Sequence, residues 1–169
     1  RRQIHQATRK PLVVMSPKSL LRHPRCISKL EDMANGEFLE LMMDEQADPS
    51  KVERLVFCSG KIYFDLLEKK EELNEERVAI CRLEQLYPFP KELVQKALQH
   101  FNASEVVWCQ EEPKNMGAWP MMDEWLGEEL GGRIPRYIGR KRAASPATGS
   151  PKVHKREQKA IVDQTFHFE

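Results

Sequence analysis

Five short apolar runs punctuate an otherwise polar chain. Leu12-Val13-Val14-Met15 comes first, then Leu55-Val56-Phe57-Cys58, Val78-Ala79-Ile80-Cys81, Val106-Val107-Trp108-Cys109, and a short fifth at Tyr137-Ile138. These runs are continuous rather than alternating and end in polar turns, the pattern of strands covered on both faces. Between them the period changes to that of a helix. Residues 61 to 74 place Ile62, Leu66, Leu67 and Leu73 on one stripe, and residues 90 to 101 gather Leu93, Val94, Ala97, Leu98 and Phe101 behind a first-turn Pro90. Residues 118 to 130 supply Met121, Met122, Trp125, Leu126 and Leu130, and residues 152 to 166 supply Val153, Ile161, Val162 and Phe166. Alternating strands and helices predict an α/β fold: a three-layer αβα sandwich around a five-stranded, mostly parallel sheet. The short fifth run is the candidate for an antiparallel edge.

Two segments break the alternation. Residues 35 to 51 read as an acidic surface excursion, and residues 139 to 152 as a long basic loop before the last helix. Loops of that length in compact domains are often functional or interface-forming. The 169 residues fit one domain, with residues 1–9 read as the tail of a preceding domain and 10–169 as the α/β domain. No apolar stretch approaches the roughly 20 residues that span a bilayer. The start, Arg1-Arg2-Gln3-Ile4-His5, is basic, lacks an apolar core and carries no Met, and is read as an internal point of a longer polypeptide rather than a secretion signal.

Net charge is only +1, yet its distribution is uneven: the first thirty residues carry Arg1, Arg2, Arg9, Lys10, Lys18, Arg22, Arg25 and Lys29 and no acid. Such asymmetry suits an anionic ligand, an acidic partner surface, or opposite-sign segments packed within one protein, and the last is favoured. Nucleic acid is not expected, because the cations are not interleaved with exposed aromatics. Cys26, Cys58, Cys81 and Cys109 are widely spaced and read as reduced thiols. The histidines show no metal-ligand spacing.

Candidate chemistry gathers where the strands end. The block from Trp108 to Trp119 (WCQEEPKNMGAW) stops an apolar run at Gln110, Glu111 and Glu112, turns at Pro113 and reaches Asn115 and Gly117. The carboxyl end of a parallel sheet is where ligands and partners meet the fold, although a solvated turn with two aromatic anchors fits these residues equally well. Ser59-Gly60-Lys61 opens a helix and reads first as a helix start, second as an anion site; the spacing is not that of a Walker A loop. Lys18 and Arg22, four apart, could clamp a carboxylate or phosphate or form a solvated face. Tyr87 and Phe89, in the proline-stiffened Arg82 to Pro90 segment, look like anchors against a neighbouring surface. No Ser-His-Asp or Cys-His array and no G-x-G-x-x-G can be assembled.

Together and in this order, these blocks resemble the C-terminal domain of the decarboxylating first component of 2-oxoglutarate dehydrogenase. The matching stretches are Lys10 to Pro24 (KPLVVMSPKSLLRHP), Leu55 to Leu67 (LVFCSGKIYFDLL), Val78 to Pro90 (VAICRLEQLYPFP), Trp108 to Trp119, and Arg136 to His154 (RYIGRKRAASPATGSPKVH). The resemblance implies a transketolase-like parent that uses thiamine diphosphate and magnesium, removes carbon dioxide from 2-oxoglutarate and passes the succinyl group to the lipoyl arm of the dihydrolipoyl succinyltransferase component. Cofactor and metal would be bound by domains outside this chain, leaving it without catalytic, cofactor or metal ligands of its own.

The implied role is structural and dimer-forming, in the cytoplasm of a bacterium or the mitochondrial matrix, with the rest of the polypeptide, a second copy and the succinyltransferase as partners. Gln110, Glu111, Glu112, Asn115, Arg140, Ser145 and His154 are the implied interface residues. Some relatives bind acetyl-CoA on this domain, at positions matching Lys18, Arg22 and Gln85. This chain departs from them at Glu92-Leu93, where arginines would contribute, and in the charge of Lys141-Arg142. An acyl-CoA- or nucleotide-binding regulatory module (Lys18, Arg22, Gln85, Ser59, Lys61) is the alternative, as is the same domain of a 2-oxoadipate dehydrogenase.

Overall fold

The computed structural model describes residues 2–168. The elements, in order, are α1 (Arg2–His5), a 3-10 turn (Lys18–Arg22), α2 (Leu30–Asn35), β1 (Leu41–Met42), β2 (Arg54–Cys58), α3 (Ile62–Leu73), β3 (Val78–Leu83), α4 (Lys91–Phe101), β4 (Glu105–Pro113), α5 (Trp119–Glu129), β5 (Arg136–Arg140) and α6 (Pro151–Phe166). The strands form one sheet of five, in the order β1-β3-β2-β4-β5. β2 runs parallel to β3 and β4, and β4 parallel to β5. Only β1 is antiparallel, pairing Leu41 with Leu83 and Met42 with Arg82.

The alternate side chains of the central strands build two cores. Leu55, Phe57, Cys81 and Trp108 face Val94 and Phe101 of α4 and Trp119, Met122 and Leu126 of α5. Val56, Cys58, Ile80, Val107 and Cys109 face Ile62 and Leu66 of α3 and Ile161 and Phe166 of α6. A strand that must satisfy both faces has no polar position to spare, which is why β2 is buried throughout. The result is the expected three-layer sandwich, with all four long helices found within a residue or two of their predicted spans. α3 and α4 each stop at an asparagine in the left-handed region, Asn74 and Asn102, a conformation that asparagine tolerates better than most residues.

Two expectations need correction. Leu12–Met15 is not a strand of this sheet: its side chains are 66–91% exposed, and the edge beside β3 is taken by β1. A both-face apolar run needs cover that none of the described residues supplies. The antiparallel edge is likewise β1, inside the acidic 35–51 segment, whereas β5 is parallel with an irregularity between Cys109 and Pro113. That acidic segment is more than a surface excursion. Asp44 ion-pairs Lys70 at 2.6 Å and accepts the Ile80 amide at 3.0 Å, pinning the segment to the sheet.

At the amino end of the sheet Arg54 is buried, and its register partner in β4 is Glu105. Its Nε donates to Glu105 Oε2 at 2.5 Å, and its Nη1 donates to the Thr165 and His167 carbonyls at 2.7 and 3.0 Å. Arg136 reaches the other Glu105 oxygen at 2.8 Å. This arrangement ties the end of α6 to β2 and β4, and places a cation where a helix exposes its last carbonyls. Burial pushes the Glu105 carboxyl upward, but hydrogen bonds and charge from Arg136 and Arg54 outweigh it and hold the group below its ordinary 4.5. A carboxylate with a lowered folded pKa contributes stability that is present above its unfolded value and is lost as pH falls through the folded one. We predict that thermal stability falls below pH 4.5, and that Glu105→Gln flattens this acid limb while costing about 3 kcal/mol at neutral pH. An unchanged acid limb in a calorimetric pH series would contradict the assignment.

Candidate functional site at the carboxyl end of the sheet

The chain passes from β2 outward to β3, then crosses back to β4 and on to β5. The order therefore reverses between β2 and β4, and the crevice beyond their carboxyl ends is where open α/β sheets hold ligands. The segments bordering it are Ser59-Gly60-Lys61 after β2 and Gln110-Glu111-Glu112 at the end of β4.

Lys61 and Glu111 meet across the crevice at 2.6 Å. Lys61 also lies 3.3 Å from Asp65, whose Oδ2 accepts Gln158 Nε2 at 2.6 Å. Side chains from β2–α3, β4 and α6 thus fill the switch point with their own charges. Burial works to lower the Lys61 pKa, but the hydrogen bond and charge of Glu111, aided by Asp65, raise it on balance. Ser59-Gly60-Lys61 is a helix start, with Gly60 at φ +74° making the turn, and its cation is already engaged.

Gln110 faces inward at the end of β4. It is buried within this chain at 3% exposure. Its Oε1 accepts the Trp108 indole N–H at 2.8 Å and the Trp119 amide at 3.0 Å. Its Nε2 donates toward the Met116, Pro113 and Glu112 carbonyls at 2.8, 3.2 and 3.3 Å. One amide side chain so closes the whole turn from β4 into α5. Gly117 fits over it: φ is +66°, and a Cβ there would lie 2.9 Å from Gln110 Nε2 and 3.0 Å from Glu112 Cβ.

Asn115 mimics a strand partner. Its Nδ2 donates to the Ala143 carbonyl and its Oδ1 accepts the Ala143 amide, both at 3.0 Å. Arg140 Nε pairs with Glu157 of α6 at 2.7 Å and its Nη1 donates to the Pro146 carbonyl at 2.7 Å. These contacts fix the 141–150 loop against the body. Between that loop and the β4 turn runs an open groove of about 710 Å³, bordered by Glu111, Glu112, Arg140, residues 146–151 and His154. Glu112, Ser145 and His154 are exposed. Tyr137, whose role the sequence did not signal, places its hydroxyl 2.8 Å from the Arg140 carbonyl and 3.0 Å from that of Glu112. Burial is the main cause of its pKa being pushed up to about 12.

The remaining candidates do not join this cluster. Lys18 and Arg22 are exposed on the 3-10 turn, in a segment held to α3 by His23 stacking near Phe64 at 5.1 Å and by the Arg25–Glu71 ion pair. Gln85 turns its amide to the Pro88 carbonyl at 2.9 Å. The three strand cysteines are buried and free. Burial lifts Cys81 and Cys109 to about 12 and Cys58 well above its ordinary value, which leaves them inert as nucleophiles. Among the described residues no three His, Cys, Asp or Glu side chains converge on a metal position. No helix among them is long and apolar enough to cross a membrane.

Two predictions follow from this geometry. Gln110→Leu strands the Trp108 and Trp119 donors and the Met116 carbonyl, and should cost about 3 kcal/mol, with Gly117→Ala also destabilising; denaturant midpoints within error of wild type would contradict the staple. A raised lysine pKa contributes stability below the unfolded value of 10.5 that is lost as pH rises through the folded one. Glu111→Gln should therefore remove part of the alkaline loss of stability, seen as a shallower fall of the melting temperature above pH 10.5.

Residues 27–166 match the family described as 2-oxoglutarate dehydrogenase C-terminal. The chain is 44% identical over 171 residues to the 2-oxoglutarate dehydrogenase E1 component of Haemophilus influenzae, covering 99% of this chain and 18% of that protein. It is 44% identical over 169 residues to the E1 component of Cupriavidus necator (98% and 18%), and 43% identical over 173 residues to the mitochondrial 2-oxoglutarate dehydrogenase of Caenorhabditis briggsae (98% and 17%). It thus spans about a fifth of the length of these relatives. A solved structure titled split gene transketolase, inactive beta4 tetramer, aligns with a TM-score of 0.47 at 18% identity, over 67% of this chain and 39% of that one, a likeness too distant to add to the argument. On the family match and these identities, the chain belongs to the 2-oxoglutarate dehydrogenase C-terminal family.

Proposed function

We propose that this chain serves as the C-terminal, non-catalytic domain of a 2-oxoglutarate dehydrogenase first component, contributing to assembly rather than to the chemical step. The observation that carries the reading is the switch point. The crevice where this kind of sheet would hold a ligand is bridged by Lys61 and Glu111 at 2.6 Å, and the adjoining turn is locked by the buried Gln110. Thiamine diphosphate and magnesium would be bound by other parts of the parent enzyme, which would decarboxylate 2-oxoglutarate and pass succinyl groups to a dihydrolipoyl succinyltransferase in the tricarboxylic acid cycle.

The exposed Leu12–Met15 run supports contact with the rest of the polypeptide or with a second copy, because a contiguous exposed apolar stretch marks a surface that a neighbour covers. Glu112, Asn115, Arg140, Ser145 and His154 frame the face that would meet those neighbours, in the cytoplasm of a bacterium or the mitochondrial matrix. The regulatory alternative finds less support, since Lys61 is ion-paired and Lys18 and Arg22 stand apart from it.

The purified chain, supplied with 2-oxoglutarate, thiamine diphosphate and magnesium, is expected to release no carbon dioxide above the protein-free rate. Turnover would overturn the non-catalytic reading. Saturable acetyl-CoA or AMP binding by calorimetry, abolished by Lys18→Ala with Arg22→Ala, would move the assignment to the regulatory module.

A further inference from the structure

The outer surface of α6 and the loop before it carry cations with no internal use. Lys141, Arg142, Lys152, Lys155 and Arg156 are all exposed, and among the described residues none of them pairs with a carboxylate, whereas Arg140 and Lys159 do, with Glu157 and Asp163. Lys152, Lys155 and Arg156 fall three and four apart and so share one helix face. The placement works against folding, since like charges four apart repel and the first turn of a helix favours acids; α6 has none there. A sequence that breaks a local rule without an internal gain points to an external one.

The patch is also held in shape. Arg140 joins the base of the loop to the second turn of α6 through Glu157, and Asn115 clips Ala143 from the other side. Carboxylates do lie at its margins. Glu68, Asp65 and Glu72 border the cleft between α3 and α6 beside Lys155, but Asp65 and Glu72 are already paired with Lys61 and Lys69. Glu112 stands across the groove.

We propose that this basic surface docks an acidic, extended segment of a different polypeptide chain. A second copy is the poorer occupant on geometry. Apart from Glu68 and Glu112 at the patch's margins, acids that pair with no cation among the described residues are found on α4 and α5 (Glu92, Asp123, Glu124, Glu128), which cover the sheet face opposite α6, and around β1 (Glu37, Glu45), at the sheet edge opposite β5. A closed two-fold pair must present both complementary surfaces on one side, and these are on two. Nucleic acid lacks a stacking platform, because the large exposed aromatics, Phe38 and Tyr87, lie elsewhere in the chain. A membrane lacks an apolar flank to enter.

The test is fluorescence anisotropy with a labelled peptide of alternating Glu and Ser, beside its Gln counterpart, titrated with the 169-residue chain. The Glu peptide should bind, weaken with salt, and lose about tenfold in affinity in K141Q/R142Q/K152Q/R156Q. A control removing equal charge elsewhere, R9Q/K10Q/K29Q/K96Q, should change it by less than about twofold. Equal losses in both variants, or no loss in the first, would overturn the proposal. So would tighter binding of a duplex oligonucleotide or a phosphatidylserine vesicle at the same salt, or a concentration-dependent dimer in sedimentation that the first variant abolishes. The result stands apart from the assembly reading, because carbon dioxide release and peptide binding are separate readouts.

Discussion

Gln110 sits where β4 must stop being a strand. Up to Cys109 the strand is covered on both faces; beyond it the chain has to turn within a few residues and deliver Trp119 into the core of the opposite layer. A turn that tight leaves backbone donors and acceptors pointing inward, and buried ones must be satisfied. A side-chain amide carries at one tip a carbonyl oxygen with two acceptor positions and an NH2 with two donors, and Gln110 uses both ends. A carboxylate could not donate there and an alkyl group could do neither. Gly117 follows from this constraint, since the amide occupies the space a Cβ would need. Asn115 and Tyr137 then carry the same turn outward, to the loop that frames the groove.

Charge is used at both ends of the sheet for closure. At the amino end Arg54, Glu105 and Arg136 join β2, β4, β5 and the tail of α6. At the carboxyl end Lys61, Glu111, Asp65 and Gln158 join the β2–α3 turn, β4 and α6. Exposed ion pairs contribute little, but these are partly or fully withdrawn from water and share their carboxylates among several donors. The near-zero net charge thus conceals a division of labour. Most buried charges hold this domain together, while unpaired cations gather in two places, the first thirty residues and α6 with the loop before it.

Much of the architecture is legible in the sequence because a strand buried on both faces must be written as an uninterrupted apolar run, and an amphipathic helix must repeat every three to four residues. That is why the central strands and the four long helices are found where they were expected. The same rule misled at Leu12–Met15: an apolar run states that cover is needed, not who provides it. Leu41–Met42 was illegible for the opposite reason, since a two-residue edge strand in an acidic segment has no period to read. At the site, the sequence signalled that Gln110, Glu111 and Glu112 were a committed block, yet residue type alone does not say that the first points inward and the second across to Lys61. Arg54 was detectable as a lone cation opening an apolar run, and Asn115 was named from the sequence, but not its pairing with Ala143.

The central claim is that the β4–α5 turn is a sealed structural joint rather than an opening ligand site, and native-state hydrogen exchange at the Trp119 amide and the Trp108 indole tests it most directly. The account predicts that both protons, held by the Gln110 carbonyl oxygen, exchange only when the whole sheet unfolds, with the protection and denaturant dependence of the β2 and β4 amides. Exchange through a small local opening, independent of denaturant and as fast as that of the 141–150 loop, would contradict it.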